Sequence, residues 1–141
     1  MGQEHYPDQV ETLWQRLVNW GGNSSGVNIS NIDNLGNVHP DTFWWNYTLG
    51  NVREDPSQIW SDESDPLMAG FRQRPRPVKG RCADCHYLSV CNGNTRVRAY
   101  NVSGDFWEED PGCYLTNQEI RVPESDRRVA TPAMEIPVHN L

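Results

Sequence analysis

The sequence predicts a small, loop-rich α+β domain with a β-hairpin, short helices and a four-cysteine site. Three observations predict it. Only 36% of the 141 residues are hydrophobic, while Gly and Pro number 11 and 10, which leaves a small core among many turns. Helix-like and strand-like apolar periods come in short segments, with no long repeat. All four cysteines fall in one block: Cys82-Ala-Asp-Cys85, then Cys91 after five residues and Cys113 after a further twenty-one. A core this small needs a staple, and a metal centre held by four thiolates supplies one.

In chain order, a helix starts at Pro7-Asp8, because Val10, Leu13, Trp14, Leu17 and Val18 fall at i, i+3, i+4, i+7 and i+8. Gly21-Gly22 ends it. Val27, Ile29 and the segment Asn31–Pro40 read as two short strands around a turn, a β-hairpin. Phe43, Trp44, Trp45 and Tyr47 follow as a dense aromatic patch, expected to fill the core. Gly50-Asn51-Val52 echoes Gly36-Asn37-Val38, too briefly for an internal repeat. Ser57 is expected to cap a helix through Ile59 and Trp60, and Asp65-Pro66 to start another through Leu67, Met68, Ala69 and Phe71. The run Arg72–Arg81 is broken by proline and reads as a solvated basic linker; the sharper alternative is a set of guanidinium groups that bind carboxylates. After Cys113, Thr116-Asn-Gln-Glu119 reads as a capping box. From Arg121 onward the chain has scattered charges and three prolines and is expected to be a disordered tail.

Four thiols in one block make two disulfides, a zinc site or an iron-sulfur cluster. Residues Met1–Asp8 show no basic start followed by an apolar run, so no secretory signal is visible and disulfides lose weight; an acidic chain of this kind is expected in the cytoplasm. Zinc ribbons favour two Cys-x-x-Cys knuckles, and this chain has one. The spacing therefore leans to iron-sulfur, with zinc still open. His86 is read as outside the ligand set, since four cysteines complete a site. A net charge of −7 argues against a nucleic-acid partner, and no apolar run reaches the length of a membrane span.

Taken together, Gly36-Asn-Val-His-Pro40, Leu49-Gly-Asn-Val52, Ile59-Trp60 and Cys82-x2-Cys85-x5-Cys91-Asn-Gly resemble the SPASM/twitch region, the C-terminal auxiliary-cluster domain of many radical SAM enzymes. Asp65-Pro-Leu-Met-Ala-Gly70, Cys91-Asn-Gly-Asn-Thr-Arg-Val-Arg-Ala99 and Gly104-Asp-x-Trp-x-x-Asp-Pro-x-Cys113-Tyr-Leu look most like the branch of that group that acts in haem d1 biosynthesis. The resemblance implies three parts: residues 1–25 as the last helix of a missing barrel, 26–120 as the auxiliary domain, and 121–141 as the tail. It implies one auxiliary 4Fe-4S cluster on Cys82, Cys85, Cys91 and Cys113. Asp41 and Thr95 stand where fuller members carry cysteines, so ligands for a second auxiliary cluster are lacking.

The Cys-x3-Cys-x2-Cys motif that binds S-adenosylmethionine through a further 4Fe-4S cluster does not occur here. By resemblance the chain is then the C-terminal part of an enzyme, not catalytic by itself, whose partner is a radical SAM barrel in the same protein or another chain. The implied substrate is a sirohaem-derived tetrapyrrole, 12,18-didecarboxysiroheme, from which propionates are removed and replaced by oxo groups. Arg96 and Arg98 are the candidates for binding its carboxylates. The alternatives are a related haem b synthase or deacetylase domain, and a non-catalytic zinc module held by the same four cysteines.

Overall fold

The computed structural model describes residues 9–123. The expected helix start at Pro7-Asp8 and nearly all of the expected tail lie outside that range.

The first helix, α1, spans Val10–Trp20 and ends where Gly21 turns left-handed at φ +67° and its N–H returns to the Leu17 carbonyl. Its apolar stripe is only half covered: Trp14 stacks on His86 with ring centroids 6.3 Å apart, while Leu17 and Trp20 remain 49% and 70% exposed.

The expected hairpin is present over Asn31–His39, while Val27 and Ile29, expected in it, lie in a turn closed by a Ser25–Ile29 bridge. Strand β1 (Asn31–Ile32) pairs antiparallel with β2 (Asn37–His39), in register Asn31 to His39. Asp33 shapes the turn by accepting from the backbone N–H groups of Leu35 and Asn37 and from the Asn37 side-chain amide. The Asn37 amide and these N–H groups push its carboxyl down to about 2. A third strand, β3 (Gly50–Asn51), is not expected from the sequence; it pairs Asn51 with Asn37 and Gly50 with Val38. The Gly-Asn echo therefore marks two paired strands, joined through their side chains where Asn51 Nδ2 donates to Asn37 Oδ1 at 3.1 Å.

Helix α2 covers Pro56–Ser61 and α3 covers Pro66–Arg72. Both open with an Asp-Pro pair, the aspartate accepting from the first turn and the proline sitting at the first helical position, where no N–H is needed. For α2 this corrects the expectation: Asp55 is the cap, and Ser57 donates to it. Three short helices follow, α4 (Leu88–Cys91), α5 (Arg96–Ser103) and α6 (Asn117–Ile120), the last opened by the expected Thr116/Glu119 capping box.

The core is aromatic because aliphatic residues are few. Trp44 sits at its centre, 2% exposed, with Phe71, Tyr100, Phe106 and Tyr47 centroids within 5.7–6.0 Å of it, packed on Leu67, Met68 and Val97. Edge-on and tilted pairs of this kind add roughly 0.5–1.5 kcal/mol each beyond area burial. The aromatic patch thus divides: Trp44 goes inward, while Phe43 and Trp45 are each 66% exposed. Among the described residues no helix is long and apolar enough to cross a membrane.

Candidate metal centre

The four cysteines come from four local structures. Cys82 closes a 3-10 turn over Gly80–Cys82, Cys85 lies in the next turn, Cys91 ends α4, and Cys113 sits in the loop between α5 and α6. All four are free thiols, half-buried, and they line one cavity of about 200 Å³ whose remaining wall is mainly apolar, with Leu88, Leu115 and Ile120.

Long polar side chains hold these turns together, since the segment has little regular structure of its own. Arg81 reaches from the first turn to the Cys113 loop, donating to Asn117 Oδ1 (2.8 Å), the Cys113 carbonyl (3.2 Å) and the Leu115 carbonyl (2.8 Å). Asp110 organises that loop: it accepts from the Gly112 N–H, its own carbonyl accepts from the Cys113 N–H, and its carboxylate takes a two-point bond from Arg98 at 3.1 and 2.6 Å. On the other side, the buried Asn92 turns left-handed at φ +46° to end α4. Its side chain donates to the Gly21 carbonyl and accepts from the Arg76 N–H, locking α1 to the turn after Cys91.

Backbone N–H groups point at sulfur: Tyr87 N–H donates to Cys85 Sγ at 3.3 Å and Asp110 N–H to Cys82 Sγ at 3.5 Å. Burial pushes the thiols of Cys82, Cys85 and Cys91 up, so thiolates here need the compensation that metal or positive charge brings. The donor set fits an iron-sulfur cluster. Four soft ligands surround a space, and backbone amides face the sulfurs. Four thiolates are also the donor set of a structural zinc, so the chemistry of the ligands admits both metals.

Within the run read as a solvated basic linker, Arg74 and Lys79 are exposed as expected, while Arg76 departs from it. Arg76 is 2% exposed, its guanidinium 5.0 Å over the Phe71 ring and donating to the Asn23 carbonyl at 2.6 Å. A chain of orphan carbonyls in loops without ladders is what draws these guanidinium groups inward. Arg96 is 1% exposed, its guanidinium enclosed by the Gly93, Phe106 and Glu108 carbonyls. As placed, it offers nothing to a ligand at the surface. The Arg98 side chain is 44% exposed and packs over Gly112, a lining residue of the cavity, with its guanidinium bonded to Asp110. Asp41 is buried, bonded to Ser25 Oγ and to the Phe43 N–H at 2.6 Å, so it serves as a loop anchor. Asn92 and Asp110 stand in the Cys91-Asn-Gly and Asp-Pro-x-Cys113 motifs and Arg81 ends the basic run, but nothing local gives any of them a bracing role; the Asn-Gly pair, a dipeptide suited to a left-handed turn, comes nearest.

No family model matches the chain, and no solved structure matches it. Curated relatives do. The chain is 54% identical over 126 residues to the pre-heme d1 synthase of Dinoroseobacter shibae, covering 88% of this chain and 31% of that protein. It is 49% identical over 118 residues to the Fe-coproporphyrin III synthase of Methanosarcina barkeri, covering 81% of this chain and 30% of that protein. It is 36% identical over 91 residues to the AdoMet-dependent heme synthase of Nitratidesulfovibrio vulgaris, covering 62% of this chain and 23% of that protein. The chain thus spans about a third or less of the length of the relatives it matches. The resemblance read from the cysteine framework is borne out as a shared segment, which fits the SPASM/twitch region of radical SAM enzymes.

Proposed function

We propose that this chain is the auxiliary 4Fe-4S domain of a radical SAM enzyme of haem d1 biosynthesis, working on a sirohaem-derived tetrapyrrole. One observation carries the reading: all four cysteines of the shared segment line one cavity, in a chain 54% identical to a pre-heme d1 synthase across most of its length. Cys82, Cys85, Cys91 and Cys113 hold the cluster, and with four thiolates no iron is left open to substrate. A cluster bound there supplies one-electron oxidation of the substrate after radical initiation.

The chain's own residues do the rest. Arg81 and Asp110 fix the Cys113 loop against the first turn, and the Tyr87 and Asp110 N–H groups hold two of the sulfurs in orientation. Apolar Leu88, Leu115 and Ile120 keep water from the cavity wall. Arg98 is held by Asp110 through Nε and Nη2 and is half-exposed, so its Nη1 is the arginine donor proposed for a substrate carboxylate; Arg96 is enclosed. The half-covered stripe of α1, with Leu17 and Trp20 outward, suits a radical SAM barrel domain as the neighbouring part.

The test is the metal content of anaerobically purified chain, reconstituted with iron and sulfide. About four irons and four sulfides per chain with a broad absorption near ~400 nm are expected. One zinc and no colour after reconstitution would return the chain to a structural zinc module. The second reading, a domain acting in Fe-coproporphyrin III or haem b formation, is favoured by the 49% identity to the M. barkeri enzyme. Product analysis of the complete enzyme separates the two.

Arg98→Ala carries a further expectation: binding of a tetracarboxylate tetrapyrrole by the iron-loaded chain weakens roughly tenfold, the worth of about one charge-assisted contact. Titration of the tetrapyrrole absorption bands reads it, and an unchanged affinity removes Arg98 from the substrate site.

A further inference from the structure

We infer that Arg96 is the buried counter-charge of the four-cysteine site, a positioning residue that sets the reduction potential of the cluster held there. The inference rests on the cluster reading above.

A guanidinium stays charged in proteins, and burying one costs several kcal/mol unless hydrogen bonds and opposite charge compensate it. Arg96 is 1% exposed, and its two terminal nitrogens are matched by backbone carbonyls: Nη1 donates to Glu108 at 2.6 Å and to Phe106 at 3.4 Å, and Nη2 donates to Gly93. Its Nε–H is buried without a partner. Carbonyls satisfy donors but bring no net negative charge. Asp110, a carboxylate near Arg96, is itself bonded at two points by Arg98.

The location supplies the missing charge. Gly93 is two residues beyond Cys91, and Glu108 is two residues before Asp110, whose N–H reaches Cys82 Sγ. The guanidinium therefore spans the two segments that carry Cys91 and contact Cys82. Asp110, and Cys82 and Cys91 when they are thiolates, favour the charged guanidinium, while Arg98 opposes it; the buried Arg76 lies near Cys91 and Arg96 in the same way. Thiolate ligands and the net-negative cluster they hold match Arg96 in charge. A fixed positive charge at short range, in surroundings of low dielectric, stabilises the more negative reduced cluster over the oxidised one.

The experiment is spectroelectrochemical titration of the anaerobically reconstituted chain with Arg96, Arg96→Lys or Arg96→Gln, with iron and sulfide counted for each. The expected result is a fall in the reduced-to-oxidised ratio of at least tenfold at fixed potential for Arg96→Gln, which is a negative shift of about 59 mV for a one-electron couple. Arg96→Lys, with the charge kept and the fork lost, should stay near the parent. A loaded Arg96→Gln chain at the parental potential overturns the inference, as does a loaded Arg96→Lys chain shifted as far as Arg96→Gln. Should Arg96→Gln fail to hold iron, retention of iron by Arg96→Lys supports the charge, and loss in both reduces Arg96 to a strap between two loops. A parent chain without iron defeats the cluster reading itself, a separate outcome.

Discussion

Replacing Cys85 by alanine in the complete enzyme is expected to leave S-adenosylmethionine cleavage largely intact while product formation falls by roughly a hundredfold or more, the loss of a ligand exceeding the roughly 10–100-fold seen for outer-shell partners. The reasoning is positional. Cys85 belongs to the turn between the 3-10 turn Gly80–Cys82 and α4, its Sγ accepts from the Tyr87 N–H, and its thiol lines the shared cavity. The neighbouring turn is anchored separately, by His86 N–H on the Ile120 carbonyl and by Arg81 on the Cys113 loop, so the polypeptide can keep its course while one ligand is gone. On the proposed function, radical initiation belongs to a separate barrel domain. Two assays decide it: 5′-deoxyadenosine formation, which should persist, and tetrapyrrole product by chromatography, which should fail. Parental product yield would remove the electron-transfer role from the site, and loss of both activities would show that the domain supports the barrel's fold.

How much of this is legible in the sequence depends on whether a feature is local. Asp65-Pro66 and Thr116-x-x-Glu119 announce their helices through chemistry contained within four residues, and the structure has both. The stripe from Val10 to Val18 likewise needs only its own period. The strand at Gly50–Asn51 is illegible because two residues carry no alternation; it exists because Asn37 and Val38 are there to pair with it. Ser57 resembles a cap only while Pro56 goes unweighed as the first helical residue, a place that leaves Asp55 in the capping position.

The arginines are the larger lesson. A charge run is usually solvated, and Arg72–Arg81 reads that way from composition. Yet Arg76 inside that run is buried, as is Arg96 beyond it, because loops that lack ladders leave carbonyls that a five-donor fork can satisfy several at a time. Nothing local distinguishes them from Arg98, which lies two residues on from Arg96 and stays half outside. The cysteines are legible as a set from spacing. That they share one cavity depends on Arg81, Asp110 and Asn92, whose partners are 16 to 71 residues away for the bonds by which Arg81 and Asn92 cross the site.

Gly22→Ala is expected to destabilise the chain by about 2–5 kcal/mol, combining a left-handed alanine at about 1–2 kcal/mol with overpacking at about 1–3. Gly22 has φ +80°, and a Cβ there would lie 2.1 Å from the Cys91 carbonyl oxygen and 2.8 Å from its carbon. These are backbone atoms at the end of α4, beside a ligand, and they cannot rotate away as a side-chain tip would. The chain must either lift α1 from the turn, breaking the Asn92 bond to the Gly21 carbonyl, or displace Cys91 itself. Either route loosens the cavity, so iron should be lost to a chelator faster than from the parent. Gly104 supplies the control: its φ is +74°, with nothing within 4 Å of an added methyl, so Gly104→Ala carries the conformational cost alone. Thermal unfolding of the iron-loaded chain should drop by roughly 10 °C for Gly22→Ala and by roughly half that or less for Gly104→Ala. Equal drops would mean that α1 does not seat against the Cys91 turn, and that the helix is carried by whatever its exposed Leu17 and Trp20 meet in the complete enzyme.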